Sequence, residues 1–189
     1  MVITGATGEI GKALMERFSG TAYDPRKEKF PPKCNILINC IGTNYDSTLK
    51  EADMNEWGKV VDTNLTYVVD VIRMVLPSMR ERKYGRIINL SSMLSTWTVF
   101  GTSAYTASKA GLNAAIRVIA KEEMKHGILI NNLNLGYMNL GMTYQIPNWR
   151  ELKKQCPLGF IEITEVVKAI QFLVQCNYTT GTSIDINGW

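Results

Sequence analysis

The chain opens with Met1-Val2-Ile3-Thr4, a short apolar run stopped by Gly5 and followed at once by a helical pattern from about Glu9 to Phe18. A strand that passes through a glycine turn into a helix pairs with its neighbours through crossovers, which restricts the chain to βαβ units and a mainly parallel sheet. The same alternation continues. Thr21-Ala22-Tyr23-Asp24 reads as a second strand closed by Pro25, and the charged, proline-bearing residues 25–33 read as loop. Asn35 to Cys40, Arg86 to Leu90 and the run beginning at Ile128-Leu129-Ile130 are near-continuous apolar segments, the type buried on both faces of a parallel sheet.

Between these strands, Asp53-Met54-Asn55-Glu56 resembles a capping box, and apolar residues recur at helical spacing from Val60 to Leu76, with Pro77 bending that segment or marking its last turns. A further helix is expected over 103–125, and a last one around Val166, Val167, Ile170, Leu173 and Val174, before a final strand at Ser183 to Ile186. Residues 137–160 have weak periodicity and hold Pro147, Trp149 and Pro157, so they are expected as a loop with a short helix, a lid on the substrate side of a site. The expected fold is α/β: one doubly wound, Rossmann-like domain over 1–189.

With 189 residues, 46% hydrophobic and 20% charged, the chain is long enough for one core and short for two. The net charge of +4 is spread along the sequence, which excludes a nucleic-acid footprint. Cys34, Cys40, Cys156 and Cys176 show no metal-ligand spacing, so no metal is expected. The single histidine, His126, precedes Gly127 and reads as a helix end. No leader segment and no apolar run of about 18 residues is visible, so the expectation is a cytoplasmic protein with reduced thiols and no membrane span.

Thr4-Gly5-Ala6-Thr7-Gly8-Glu9-Ile10-Gly11 lies between the first strand and the first helix. Glycines there permit a tight turn and close approach of the backbone to a pyrophosphate, and the helix N-terminus offers free N–H groups to the phosphates. Asp24 stands nineteen residues after Gly5, where an acidic side chain accepts hydrogen bonds from a ribose and favours NAD(H) over NADP(H). Arg26 and Lys27 follow it and are placed to meet a 2′-phosphate instead.

Tyr105 and Lys109 are four apart on an expected helix, so they share a face, and Ser92 stands thirteen residues before Tyr105. A free tyrosine titrates near pKa ~10, and a neighbouring ammonium favours the phenolate, which makes the pair a candidate general acid/base. By itself the spacing more often means only a partly exposed helix face.

With the glycine turn, Ser92, Tyr105 and Lys109 in order, the chain resembles the short-chain dehydrogenase/reductase family nearly end to end. Asn39-Cys40-Ile41-Gly42 resembles the family's Asn-Asn-Ala-Gly, and Asp62-Thr63-Asn64-Leu65 resembles the segment carrying its central-helix asparagine. Gly85 to Ser92 is similar to the strand that delivers the serine, and Gly181 to Gly188 to the C-terminal strand. The resemblance implies a catalytic set of Asn64, Ser92, Tyr105 and Lys109. Tyr105 would exchange a proton with a carbonyl or alcohol substrate. Lys109 would lower the pKa of Tyr105 and hold the nicotinamide ribose, Ser92 would bind the substrate oxygen, and Asn64 would hold a water in a proton relay. It implies a nicotinamide dinucleotide held by Gly5, Thr7, Gly8, Glu9, Ile10, Gly11, Asp24, Asn39, Cys40, Ile41, Gly42, Tyr105, Lys109, Gly136 and Met138. It also implies a homodimer or homotetramer.

Several features depart from the family pattern. Glu9 takes the place of the usual middle glycine, tolerable only if its side chain points away from the pyrophosphate; the resulting Gly5/Gly8/Gly11 spacing matches the extended branch of the family. Leu135-Gly136 replaces Pro-Gly, and Leu140 stands where a threonine is usual. About ten loop residues separate Asp24 from the strand at Asn35, too few for the helix and strand the family has there. A six-stranded sheet, in order 2-1-4-5-6-7 by the family's labels, follows, with an open adenine side. Tyr137, Met138, Met142, Tyr144 and Trp149 suggest an apolar lid, and Trp189 is expected at an oligomer interface or as a frayed end. The leading activity is an NAD(P)-dependent oxidoreductase. The alternatives are a trimmed non-catalytic scaffold and an epimerase or dehydratase using the cofactor transiently.

Overall fold

Alternate residues of the central strands face opposite ways, and the sequence supplies apolar side chains for both faces. In a computed structural model, which describes residues 1–24, 27 and 33–189, this produces a parallel sheet with helices on each side. The elements run β1 (Val2–Thr4), α1 (Glu9–Arg17), β2 (Thr21–Tyr23), β3 (Ile36–Asn39), α2 (Met54–Val61), α3 (Tyr67–Arg82), β4 (Gly85–Ser92), α4 (Ser103–Glu123), β5 (Ile128–Leu135), α5 (Trp149–Lys154), α6 (Ile163–Gln175) and β6 (Ser183–Ile186). Leu37, Ile87, Ile128 and Ile130 pack with Val68, Ile72 and Val75 of α3 and Leu112 and Ile116 of α4. Ile3, Ile38, Ile88, Leu90 and Leu133 pack on the other face with Leu14 of α1 and Val166, Ile170 and Leu173 of α6.

Among the described residues the sheet has six strands in the order β2-β1-β3-β4-β5-β6, every neighbouring pair parallel. This is the order expected from the short connection after Asp24, with β2 at the edge. Pro25 and Arg26, to which a loop and a 2′-phosphate contact were assigned above, lie outside the described residues. The Asp53 side chain caps α2 by accepting from Asn55 N at 2.8 Å, and the expected end at His126 is a 3₁₀ turn closed by left-handed Gly127.

A line of buried polar side chains crosses the sheet. Thr4 Oγ1 donates to Asn39 Oδ1 (3.0 Å), Asn39 Nδ2 to Asn89 Oδ1 (2.8 Å), Asn89 Nδ2 to Asn132 Oδ1 (3.0 Å) and Asn132 Nδ2 to Ser183 Oγ (3.3 Å). Each amide uses its oxygen on one side and its nitrogen on the other, so the polar groups are satisfied inside an apolar layer. A one-residue slip of any strand would break the line and turn apolar side chains to the wrong face, so the ladder reinforces the register.

Candidate active site

β4 carries the chain to Ser92 at its carboxyl end, the side of an open α/β sheet where ligands bind. There the chain turns through Met93–Ser95, with Ser92 Oγ accepting from Leu94 N at 3.2 Å. That bond leaves the hydroxyl hydrogen free to point elsewhere. The Ser92 side chain lies near the Tyr105 phenol and acts to lower its pKa. Ser91, the competing serine, is buried and its Oγ has no hydrogen-bond partner among the described residues.

Lys109, one turn beyond Tyr105 on α4, is 3% exposed and donates from Nζ to the Leu90 carbonyl at 2.9 Å. Its ammonium stands 5.7 Å from the Tyr105 ring centroid. Asn64 lies on the π-helical turn Asp62–Thr66 that joins α2 to α3, where Tyr67 N reaches back to Asp62 O. Its side chain is fully buried: Oδ1 accepts from Thr43 N (2.8 Å), while Nδ2 donates to Thr43 O (2.8 Å) and to Ser108 Oγ (3.0 Å). Ser108 Oγ in turn donates to the Tyr105 carbonyl at 2.7 Å. The asparagine thus ties the loop after β3 to the helix of Tyr105, and a π turn inside an α-helix is a common mark of a functional position. Its side-chain groups are all engaged within the protein. Thr43 and Ser108 were not singled out in the sequence; Ser108 shows only as a neighbour of Lys109.

The electrostatics differ from the simple pair picture. Burial raises the Tyr105 phenol above its ordinary 10, the Ser92 side chain pulls it partly back, and the Asp46 carboxylate raises it further. Lys109, expected to depress this phenol, points its ammonium to Leu90 O, and burial sets the direction of the shift upward. Burial also lowers Lys109 itself, to about 8, against a small opposing effect of Cys40. Cys40 is pushed up to about 12 by burial, so its thiol stays protonated.

The glycine turn has the shape a diphosphate needs. Gly5 has φ +65°, and a Cβ there would sit 2.7 Å from Cys40 O, so only glycine lets this turn lie against the end of β3. A Cβ on Gly11 would sit 2.2 Å from Gly5 O, so the first turn of α1 packs directly on the loop. Thr7, Gly8 and Glu9 are exposed at the helix N-terminus, and Ile10 is half-buried. Asn39 lies below this surface with its side chain engaged in the ladder. Ile41 packs on the α3/α4 core, and Gly42 is exposed, with space beside it in which a Cβ would come 3.6 Å from Asn64 Oδ1 and 3.7 Å from Lys109 Nζ. Asp24 ends β2, with Lys27 Nζ 3.9 Å from its carboxylate. The close approach of the Gly5 turn to Cys40 and the exposed residues Thr7 to Glu9 leave backbone room at the α1 N-terminus of the kind a diphosphate would need.

The Glu9 side chain is turned toward Gly141. Its carboxylate accepts a 2.5 Å hydrogen bond from Gly141 N, in the 3₁₀ turn Gly141–Gln145 of the expected lid. No periodic signal connects residues 132 positions apart.

The lid region holds a short turn and α5, as expected. Met138 is buried, pairs with Ile161 and donates from its backbone N to Thr143 Oγ1 at 3.1 Å; Gly136 packs against Asn187. Of Met142 only the backbone is described. Five ring contacts link Trp97, Trp189, Tyr137, Phe160, Tyr144 and Trp149 in one chain across the carboxyl ends of β4, β5 and β6. Trp189 is 5.0 Å from Trp97, edge to face, so its ring is held within the chain rather than frayed. Arg150 lies 4.6 Å over Trp149 and Lys153 5.7 Å over Phe160. No group of metal-ligating side chains is present among the described residues, and no helix there is long and apolar enough to cross a membrane.

Comparison with known proteins bears on the family and the fold. The family model for short chain dehydrogenase matches residues 20–151. Acetoacetyl-CoA reductase of Allochromatium vinosum is 32% identical over 161 residues, 82% of this chain and 65% of that protein. The 3-oxoacyl-acyl-carrier-protein reductase FabG of Haemophilus influenzae is 31% identical over 196 residues, 98% of this chain and 81% of that protein. The chain spans just under two thirds of the length of several such relatives, 64% for the Pseudomonas aeruginosa FabG. An oxidoreductase of the short chain dehydrogenase/reductase family from Burkholderia thailandensis superposes with a TM-score of 0.87 at 25% identity, over 99% of this chain and 90% of that one. A structure from Agrobacterium tumefaciens has the same fold, with a TM-score of 0.87 at 23% identity.

Proposed function

The chain belongs to the short-chain dehydrogenase/reductase family, and on that premise we propose that it is an NAD(P)-dependent carbonyl reductase, or the reverse alcohol dehydrogenase, with Tyr105 as its acid/base. The observation that carries this reading is the buried ammonium of Lys109, 5.7 Å from the Tyr105 ring centroid, with Ser92 at the adjoining end of β4.

The glycine turn and the N-terminus of α1 would hold the diphosphate, and Asp24 and Lys27 the adenosine ribose end. Gly42, Lys109, Gly136 and Met138 line the way toward the nicotinamide end. The nicotinamide, when bound, supplies or takes the hydride. In the reductive direction Tyr105 donates its proton to the carbonyl oxygen, and Ser92 hydrogen-bonds the same oxygen as negative charge develops on it. The raised pKa of Tyr105 keeps the phenol protonated at neutral pH, as a proton donor must be. Lys109 is cationic below about pH 8 and holds positive charge beneath the site. Asn64 positions Thr43 and α4, and a relay water beside it is part of the same proposal.

The choice between NAD(H) and NADP(H) rests on Asp24 and Lys27, and their ion pair serves either cofactor. Asp24 supports NAD(H); a 2′-phosphate would draw Lys27 from the pair. Because the relatives are named reductases of acetoacetyl-CoA and of 3-oxoacyl-acyl-carrier-protein, 3-oxoacyl thioesters are the first substrates to try. The edge position of β2 favours one rival, a scaffold that has lost useful cofactor affinity.

The test is a titration with NADH and NADPH, followed by nicotinamide fluorescence and thermal stability, and then a carbonyl panel with Tyr105→Phe. Binding of either dinucleotide, with turnover reduced by about 10²–10⁴-fold in the variant, is expected. No response at millimolar dinucleotide would favour the scaffold, and unchanged turnover in Tyr105→Phe would remove Tyr105 from the chemistry.

A further inference from the structure

We infer that Glu9 is a positioning residue that clasps the substrate-side lid to the phosphate-binding turn and opposes dinucleotide binding with its charge. The inference rests on the cofactor reading above and adds to it a specific device of this chain. Glu9 is the first residue of α1, and its carboxylate accepts the Gly141 N–H at 2.5 Å across 132 residues of sequence. Gly141 has φ +71°, a left-handed backbone that favours glycine and lets the turn present its N–H to the Glu9 carboxylate. The lid and the glycine turn are therefore joined by one charge-assisted bond across the mouth of the cleft.

Two consequences follow from where the carboxylate stands. The free N–H groups and positive dipole end of α1 attract an anion, and Glu9 already places one at that first turn. A diphosphate bound at the same helix end would share that field with a like charge, which weakens its binding by an amount that salt screens. The bond to Gly141 also fixes the segment that begins at Gly141 and continues to Tyr144, whose ring belongs to the aromatic chain on the substrate side. Glu9 thus acts on the two halves of the cleft in opposite senses. It loosens the dinucleotide and orders the lid.

Two substitutions separate the effects. Glu9→Gly removes both charge and acceptor. Glu9→Gln removes the charge and keeps an oxygen that accepts from Gly141 N–H. In the protein without added ligand, hydrogen exchange at the Gly141 amide is expected to accelerate in Glu9→Gly and to stay near the parent in Glu9→Gln. The dissociation constants for NADH and NADPH, measured by nicotinamide fluorescence, are expected to fall about tenfold in both variants, about 1.4 kcal/mol, with the gain shrinking as salt is raised. The KM for the carbonyl substrate is expected to rise in Glu9→Gly alone. A purely structural role for Glu9 would not tighten one ligand while weakening the other. Equal Gly141 exchange in the parent and Glu9→Gly overturns the clasp, and dissociation constants within twofold across the three proteins overturn the opposition to the dinucleotide. If none of the three binds either dinucleotide, the cofactor reading fails and the opposition fails with it, while the exchange result still decides the clasp.

Discussion

Lys109 donates from Nζ to the carbonyl of Leu90 at 2.9 Å, deep beneath the cleft. The bond holds the ammonium against β4, and burial leaves it with a pKa lowered from 10.5 to about 8. The charge on Lys109 is thus the feature of the site that titrates nearest to neutrality.

That has a kinetic signature. The ammonium is lost as pH rises past about 8, while Tyr105, raised above 10, still carries its proton. The kcat/KM for carbonyl reduction is expected to fall along a one-proton limb centred near pH 8, which reports the free enzyme. A limb near pH 10 instead would assign the essential titration to Tyr105. The same shift has a stability sign. Between about 8 and 10.5 the unfolded chain binds more protons at this lysine than the folded one, so this group's contribution to stability improves as pH rises through that window. Lys109→Met should therefore lose activity while costing little stability at pH 7, which urea unfolding and turnover measured side by side will check.

The polar ladder makes a different prediction. Asn89 joins Asn39 to Asn132 at the centre of the sheet and is fully buried. Asn89→Ala strands the Asn39 nitrogen and the Asn132 oxygen, each a buried group costing about 1–3 kcal/mol to leave unpaired. A loss of about 2–5 kcal/mol in unfolding free energy is expected, with no direct effect on the site. Chemical denaturation of the variant measures the first. Dinucleotide affinity measured below its unfolding transition checks the second.

How much of this was legible in the sequence depends on whether the cause is local. The sheet order followed from the short connection after Asp24, because ten residues cannot hold a helix and a strand. The shared face of Tyr105 and Lys109 followed from helical spacing and Ser92 from the family resemblance; α4 carries the first two and the end of β4 the third. The π turn around Asn64 was not legible. It is coupled to hydrogen bonds with Thr43 and Ser108, which are distant in sequence, and the apolar periodicity runs through it unbroken. At Tyr105, spacing shows the neighbouring Lys109 charge, while the burial that raises the phenol leaves no mark in the sequence. The Glu9 bond to Gly141 joins the first residue of α1 to a 3₁₀ turn 132 positions away and leaves no pattern in either.

Acid stability is expected to depend on one inter-helix pair. Glu123 at the end of α4 is 1% exposed and is bound by both Nε and Nη2 of Arg80 on α3. The Arg80 hydrogen bond holds its carboxyl below the ordinary 4.5, despite burial pulling the other way. A carboxylate with a depressed folded pKa stabilises the fold above its unfolded value and loses that contribution as pH falls through the folded one. Stability should therefore decline below about pH 4.5, and Arg80→Ala should cost about 2–4 kcal/mol at pH 7 by leaving a buried carboxylate unpaired. In that variant the acid decline should flatten, since the carboxyl no longer gains from ionising. Urea unfolding at pH 3–7 on both proteins decides it; parallel pH curves would remove the pair from the account.

The glycine turn offers the most local test of the cofactor cradle. At Gly5 a substitution meets two obstacles together: φ is +65°, costly for any residue with a Cβ, and the added Cβ would lie 2.7 Å from Cys40 O and 2.9 Å from Ile41 N. Both contacts are backbone atoms at the end of β3, so relief requires the turn to move away from that strand. Left-handed strain alone costs about 1–2 kcal/mol, and the contacts add to it. Gly5→Ala should lower stability by about 2–4 kcal/mol, and displacement of the turn should weaken NADH and NADPH binding about tenfold or more. Gly8→Ala is the matched control, because a Cβ there meets Gly5 O only at 3.4 Å and the residue has an extended backbone. Its stability should fall by less than about 1 kcal/mol. Calorimetry and dinucleotide titration of the pair would show whether the strained turn, rather than glycine content as such, shapes the diphosphate site; equal effects at the two positions would argue against it.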